Sequence, residues 1–414
     1  MSEIKDNKVP NVPPLRFSND EWKRVRLDSF IISFPTNSLS WDDLNYDVGT
    51  IKNFHYGLIH NGFLSTVVNS SNPLFPYINE GKAPRKYEVI KNGDIILADA
   101  SEDVECCANS IEVINNDESV VISGLHTIHC RDNKDLTVSG FKGFYFRSFA
   151  MKKQLRRLVQ GTKIYSISTR NFKEMYMSIP SKNDQHKIVN LLTLIEDKIE
   201  TQKKIIEDLS ALKEAILQVY FSSYSKIDKL IWKTIKLDDI LIERKEYCEK
   251  NGSYPHVTLS KDGISIKTER YDRDFLVTNE NKEYKITRLN DICYNPANLK
   301  FGVISRNKYG NAIFSPIYVT FQVREQFDPE FVELVITYKD FIKKILRFQE
   351  GTVYERMAVS PKDFLSESIT TPTKLDQINI VQRISLINKK QRNEEKILCK
   401  YIKSKKYLLQ KMFI

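Results

Sequence analysis

The sequence predicts an α+β chain: two globular mixed α/β domains joined and spaced by two long helices that form an antiparallel coiled coil, the whole a pseudo-two-fold internal repeat. Residues 172–221 and 364–413 align at a constant offset of 192 without a gap, and sixteen of the fifty positions are identical. Pro180 matches Pro372, Asp184-Gln185 matches Asp376-Gln377, Ile188-Val189 matches Ile380-Val381, and Leu217-Gln218 matches Leu409-Gln410. Within both copies apolar residues recur every seven positions, the period of a left-handed coiled coil.

Taken in chain order, residues 1–19 (MSEIKDNKVPNVPP and onward) lack an apolar run and read as a short disordered lead-in. Residues 20–163 form the first globular domain. Trp22-Lys23 followed by Leu27-Asp28 opens it, and residues 120–130 (VVISGLHTIHC) have the β-branched content of a strand. Residues 146–158 read as helix. The segment 164–226 holds the first long helix, with Pro180 ending the extended stretch before it and Asn183 or Asp184 placed to cap it. Its stripe is Ile188, Ile195, Leu209 and Ile216, with Leu192, Ile199, Ile206 and either Leu212 or Lys213 beside it.

Residues 227–353 repeat the globular pattern. Trp232-Lys233 and Leu237-Asp238 open it, YKITRLNDI at 284–292 echoes YEVIKNGDI at 87–95, residues 312–323 read as strand and residues 331–348 as helix. The segment 354–414 carries the second long helix, capped by Asp376, with a stripe of Ile380, Ile384, Ile387, Leu398, Tyr401 and Leu408. Gln202 and Glu394 occupy equivalent stripe positions, and such polar interruptions fix register. Neither helix can bury its stripe alone, so each is the natural partner of the other. About 39 residues at ~1.5 Å each make a rod of roughly 58 Å.

The 414 residues carry a net charge of +10, and a surplus of eight lies between Arg383 and Lys411, so the second helix is basic while the globular parts are nearly balanced. That charge suits nucleic acid, or equally a solvated face or an acidic partner. No apolar run is long enough for a membrane span, which points to the cytoplasm. Cys106, Cys107, Cys130, Cys248, Cys293 and Cys399 have no metal-ligand spacing and read as reduced, mostly buried thiols.

Several motifs suggest chemistry, and each has a plainer reading. Asn72-Pro73-Leu74-Phe75 is similar to the Asn-Pro-Pro-Phe with which amino-methyltransferases hold a target amine, yet the chain has no Gly-x-Gly for a nucleotide-like cofactor, so a turn is the better reading. His126, His129 and Cys130 cannot converge on a metal from one strand, because 126 and 130 share a face that 129 leaves. No Gly-x-x-x-x-Gly-Lys is present for ATP. What remains is a surface for reading something. The candidate nucleic-acid contacts are Lys82, Arg85, Lys86, Lys163, Tyr165 and Arg170 in the first half. In the second half they are Asn295, Asn298, Lys300, Arg306, Lys308, Tyr354 and Arg356.

The opening VPPLRFSNDEWKRVRLDSF, the Gly93-Asp94-Ile95 strand, the helix from 178 to 221 and the doubled Pro-x-x-x-x-Gln (Pro180 to Gln185, Pro372 to Gln377) resemble the specificity (S) subunits of type I restriction-modification enzymes. The order target-recognition domain, central helix, target-recognition domain, distal helix is also that family's. Two departures stand out: Asp184 and Asp376 replace the more usual Glu, and Asn290 stands where the first copy has Gly93, which puts the identity of that turn in doubt. The resemblance implies a non-catalytic DNA-recognition subunit that reads a bipartite double-stranded target, each domain taking one half and the helices fixing the spacer. It implies two modification (methyltransferase) subunits and a restriction subunit (translocase/nuclease) as partners, with S-adenosylmethionine, ATP and Mg bound by them and no cofactor in this chain. Residue chemistry alone also leaves open a pseudo-symmetric scaffold that binds only proteins, or a divergent DNA methyltransferase.

Overall fold

The computed structural model describes residues 11–63, 65–103, 109–117, 119–221, 232–249, 253–267, 283–348 and 358–414. It divides into two compact units, one of residues 1–205 with 394–414 and the other of residues 206–393. Each unit therefore owns one globular part and a portion of both long helices, Lys182–Phe221 (the central helix) and Lys374–Lys411 (the distal helix).

In the first unit Lys23–Arg26 pairs antiparallel with Tyr176–Ile179. The main sheet runs Ile31–Phe34, Thr127–Asp132, Asp94–Ala98, Ser110–Ile114, Val67–Asn69, and a second sheet runs Val121–Ser123, Lys52–Phe54, Tyr77–Ile78, Leu44–Asn45. The apolar run of Asp94–Ala98 is buried on both faces: Ile95 and Leu97 join the core with Phe141, Phe144 and Phe172, while Ile96 and Ala98 pack on the other side with Phe54 and Phe75. Successive side chains of a strand point to opposite faces, so a strand between two cores needs such an unbroken apolar sequence.

The second unit repeats the frame. Lys233–Lys236 pairs with Ser368–Thr371, and its main sheet runs Leu241–Glu243, Val319–Val323, Ile292–Tyr294, Ile304–Arg306. Its outer strands differ from those of the first unit: Tyr247–Glu249, Glu283–Thr287 and Ala312–Phe314 form one sheet, and Val257–Ser260 with Gly263–Ile266 a hairpin.

The turn before the shared aspartate is the same in both units. Gly93 has φ 80° and Asn290 φ 70°, a left-handed conformation that asparagine tolerates better than most residues with a Cβ. The Asp94 carboxylate accepts from Lys91 N at 2.8 Å, and Asp291 accepts from Arg288 N at 2.8 Å. Each aspartate then takes a bidentate guanidinium, but from different strands. Arg131 of Thr127–Asp132 reaches Asp94 at 2.8 and 2.7 Å, whereas Arg244, just past Leu241–Glu243, reaches Asp291 at 2.7 and 3.0 Å.

Four local expectations are corrected. The caps of the long helices are Ser181 and Thr373, whose hydroxyls accept from Asp184 N and Asp376 N at 3.3 Å, so the aspartates are third-position partners rather than caps. The expected strands at 120–130 and 312–323 are each broken, by a turn at His126 (φ 53°) and by one at Ser315 to Tyr318. Helix in the first domain begins earlier than residue 146, as Phe141–Phe146 and Phe149–Leu155; the sequence FKGFYF is buried all round, Lys142 included, and so shows no amphipathic period. Nor is the lead-in loose from residue 11: Asn11 and Trp22 exchange hydrogen bonds at 2.9 and 2.6 Å, and Leu15 N donates to Lys411 O at 3.0 Å.

The Pro-x-x-x-x-Gln motif has a clear physical basis. Gln185 is buried, accepts from Val138 N at 2.8 Å and donates to Pro180 O at 3.0 Å; Gln377 accepts from Asp328 N at 2.9 Å and donates to Pro372 O at 3.1 Å. One amide thus fixes the start of each long helix to the loop that enters the first domain helix. Trp22, Phe141 and Phe413 cluster with centroids 6.0 to 6.4 Å apart. Phe331 holds Phe221 and Trp232 at 5.7 and 6.4 Å in the corresponding place. The residues near the two ends of the chain so meet in the first unit as central helix and Trp232 meet in the second.

The seam residues behave as one stripe. Ile188, Leu192, Ile380 and Ile384 are buried, and Ile195, Ile199, Leu209, Ile216, Ile387, Leu398, Tyr401 and Leu408 are half-buried. Lys213, not the exposed Leu212, continues the stripe. Partner numbers rise on one helix as they fall on the other: Glu196 with Lys405 and Gln202 with Glu394 in the first unit, Ser210 with Gln391 and Tyr220 with Arg383 in the second. The pairing is antiparallel, and Gln202 donates at 2.5 Å to its own repeat equivalent, Glu394, both of them buried.

Two outcomes are expected from these contacts. Gln185→Ala, which strands the buried Val138 N–H, should cost about 1–3 kcal/mol in urea unfolding; an unchanged midpoint contradicts the clamp. Gln202→Leu removes one hydrogen bond from the buried Glu394 carboxylate and should destabilise by a similar amount, whereas Gln202→Leu with Glu394→Leu should recover that loss in the same assay.

Candidate nucleic-acid interface

In the first unit the 3-10 helix Trp41–Asp43 is held by a capping box from Ser40, and its end anchors the turn at 79–82. Asn79 N donates to Asp43 O at 2.9 Å, Lys82 N to Asn79 O at 3.1 Å, and the Lys82 ammonium pairs with Asp43 at 3.1 Å. That ammonium holds the Asp43 carboxyl below its ordinary range. The fold thereby ties Lys82 to the 3-10 helix that carries an exposed indole, Trp41, with Arg85 and Lys86 exposed on the following segment.

Trp41 opens a run of rings that the sequence reading had not assembled. It lies 4.3 Å from His55, His55 is 4.5 Å from Tyr56, and Tyr56 is 5.4 Å from His126 and 6.0 Å from His60. His55 is buried, Tyr56 and His60 are half-buried, and the two ends of the run, Trp41 and His126, are exposed. Nδ1 of His126 stands 3.3 Å from Asp99. Burial, followed by repulsion from His126, pushes His55 down to about 4, and its unprotonated Nδ1 accepts from Gly57 N at 3.1 Å. The available signal was the crowding of four of the six histidines into residues 55–129.

The other candidates are scattered. Lys163 is exposed, Tyr165 lies in the short strand Tyr165–Ser166 and packs on the core, and Arg170 is exposed with Glu174 3.9 Å away. In the second unit Asn295 is buried, and its side-chain oxygen caps the helix Pro296–Phe301 by accepting from Ala297 N and Asn298 N. Asn298 and Lys300 are exposed on that helix. Arg306 is committed to the fold, bound to Glu330 at 3.0 Å, Glu333 at 3.2 Å and Asn290 at 2.6 Å, while Lys308 pairs with Glu333 at 3.0 Å and stays exposed. Tyr354 and Arg356 lie outside the described residues, as do Cys106 and Cys107.

The motifs discounted in the sequence take structural roles. Asn72 closes a turn, its side-chain oxygen accepting from Leu74 N at 2.9 Å. His129 is buried against Asp94 at 2.8 Å, and Cys130 is buried with its thiol pushed up to about 12 by desolvation. Cys293 is likewise buried, Cys248 half-buried and Cys399 exposed. Among the described residues no cluster of His, Cys, Asp or Glu could hold a metal, and no helix is long and apolar enough to cross a membrane.

Residues 19–211 match the family model described as the type I restriction modification DNA specificity domain. A curated relative is the type I restriction enzyme MjaIX specificity subunit of Methanocaldococcus jannaschii, 24% identical over 181 residues; the match covers 38% of this chain and 41% of that protein's length. Among solved structures, the S subunit of a type I restriction-modification system from M. genitalium superposes with a TM-score of 0.56 at 15% identity, covering 97% of this chain and 99% of that one. A chain from a study of complex assembly and conformational transition in a type I system matches with the same score, covering 97% of this chain and 98% of its own. These structures share the fold.

The neutral His55 makes an acid-sensitive prediction. Its folded pKa lies below its ordinary 6.5, so the unfolded chain takes up the proton first, and stability falls as pH drops from about 6.5 towards 4, by at most about 1.4 kcal/mol per pH unit. Thermal melts across that range should show a flatter dependence for His55→Asn; equal acid sensitivity in both proteins contradicts the assignment.

Proposed function

We propose that this chain belongs to the type I restriction-modification DNA specificity family, whose specificity-domain model matches residues 19–211, and that it is the DNA-recognition subunit of a methyltransferase and endonuclease complex, reading a bipartite duplex target. Each globular part reads one half-site. The paired helices set the unspecified spacer between them, placing the half-sites about one turn of DNA, roughly 34–36 Å, apart. The central helix is 40 residues long, on the order of 60 Å, a sufficient span.

The observation that carries this reading is the contact of Gln202 with its own repeat equivalent, Glu394, because a duplicated sequence whose copies meet at equivalent positions suits a split target. The chain itself is non-catalytic. Adenine methylation falls to two modification subunits that bind S-adenosylmethionine, and ATP-driven translocation and cleavage fall to a restriction subunit with Mg. The methyltransferase alternative loses its support with Asn72 tied into a turn. A protein-only scaffold is disfavoured by the match of residues 19–211 to a DNA specificity domain.

The test is methylation mapping by single-molecule sequencing in a host without other methyltransferases. With its cognate modification subunit, this chain should direct methyladenine into both halves of a bipartite motif, lost when the chain is omitted. An undivided motif, or the same motif without this chain, contradicts the proposal.

A further inference from the structure

The two units share a frame and differ in their outer strands, so residues that discriminate between half-sites are to be sought where the common sheet meets the part that differs. One such place is the turn that leads into Thr127–Asp132 in the first unit and Val319–Val323 in the second. The two turns can be aligned by pairing rather than by sequence. Cys130 lies opposite Ile95 and Phe321 opposite Ile292, the residues that follow the shared aspartates Asp94 and Asp291. Four residues back along each strand are His126 and Ile317. Both are exposed, the His126 side chain by 52% and Ile317 by 59%.

We propose that this position is a base-reading position in each unit, polar in the first and apolar in the second, an assignment that rests on the functional reading above. The first turn is rigid. Thr127 Oγ1 donates to Gly124 O at 2.6 Å, Asp99 N donates to His126 O at 3.1 Å, and Tyr56 meets the His126 ring edge-on. His126 is one of three non-glycine residues at positive φ, 53°, among the described residues. Backbone held in that region costs energy and concentrates where function needs a side chain aimed in one direction. In the second unit Pro316 and a Tyr318 N–H to Ser315 O bond of 3.2 Å fix the turn, and Tyr318 packs 4.8 Å from Phe314.

The chemistry of the two side chains differs in a way bases can register. Nδ1 of His126 faces Asp99, which leaves Nε2 for a base edge. As neutral imidazole Nε2 accepts from the exocyclic amine of adenine or cytosine; as imidazolium it donates to guanine N7 or O6. Ile317 has no polar atom and suits the thymine methyl in the major groove. Neither residue is required by the core of its unit, since neither is buried.

The experiment uses the complex assembled with the cognate modification subunits and measures competition by duplexes substituted at every base pair of both half-sites. His126→Gly, which keeps the left-handed backbone, should lose roughly five- to 150-fold discrimination at one base pair of one half-site only. Ile317→Ala should lose discrimination at a thymine in the other. His126→Asn, which also tolerates positive φ, should alter the preference at the same base pair as His126→Gly. Unchanged profiles overturn the inference, and so does uniform weakening at all positions, which marks a purely structural role. A wild-type complex with no bipartite preference defeats the functional reading itself, and this inference with it.

Discussion

The molecule depends on two heptad stripes that must be buried against each other. Lys182–Phe221 and Lys374–Lys411 each expose a seam that water would have to cover if the helix stood alone, and an isolated helix in water owes little stability to its own backbone. Antiparallel pairing removes that cost. It also explains why this part of the sequence kept a constant offset of 192: an insertion in one helix would move every later stripe residue off the seam, and the other copy could no longer meet it. The globular parts are under no such constraint.

The seam is not uniformly apolar. Gln202 and Glu394 are buried at its self-equivalent point, and Glu196 accepts from Lys405 and from both the amide and hydroxyl of Thr66. The repeat equivalents of Glu196 and Lys405 are Asn388 and Lys213, so the ion pair is made once and not twice. Buried polar pairs of this kind stabilise little compared with apolar contacts, and their established use is to exclude alternative registers. A Leu seam could slide by a heptad; one with a buried amide against a buried carboxylate loses a hydrogen bond when it does.

How much was legible in the sequence follows from which forces leave a local trace. The long helices, their partnership and the polar interruption at Gln202 and Glu394 were readable because a period of seven is a local pattern. The sheet order was not, since Asp94–Ala98 is a short apolar run that says nothing about its neighbours. The Gly93 to Asn290 exchange looked like a difference and is none, because both residues accept positive φ and both aspartates close the same turn. At the candidate surface, Lys82, Arg85 and Lys86 are exposed as expected, but Asn295 and Arg306 are held by the fold as a helix cap and an ion-pair hub. Charge and residue type cannot reveal such prior commitments. The ring cluster from Trp41 to His126 was missed for the converse reason: the Tyr56 to His126 contact joins residues some seventy positions apart, which leaves no local pattern.

The central claim is that the paired helices act as a ruler, and it is tested most directly by lengthening them. One heptad inserted at equivalent points of both long helices preserves the seam and adds about 10 Å of rod. Mapped methylation should then show both half-sites unchanged and the spacer longer by up to about three base pairs. A folded variant that keeps the original spacer, or that changes the half-sites instead, would contradict the account.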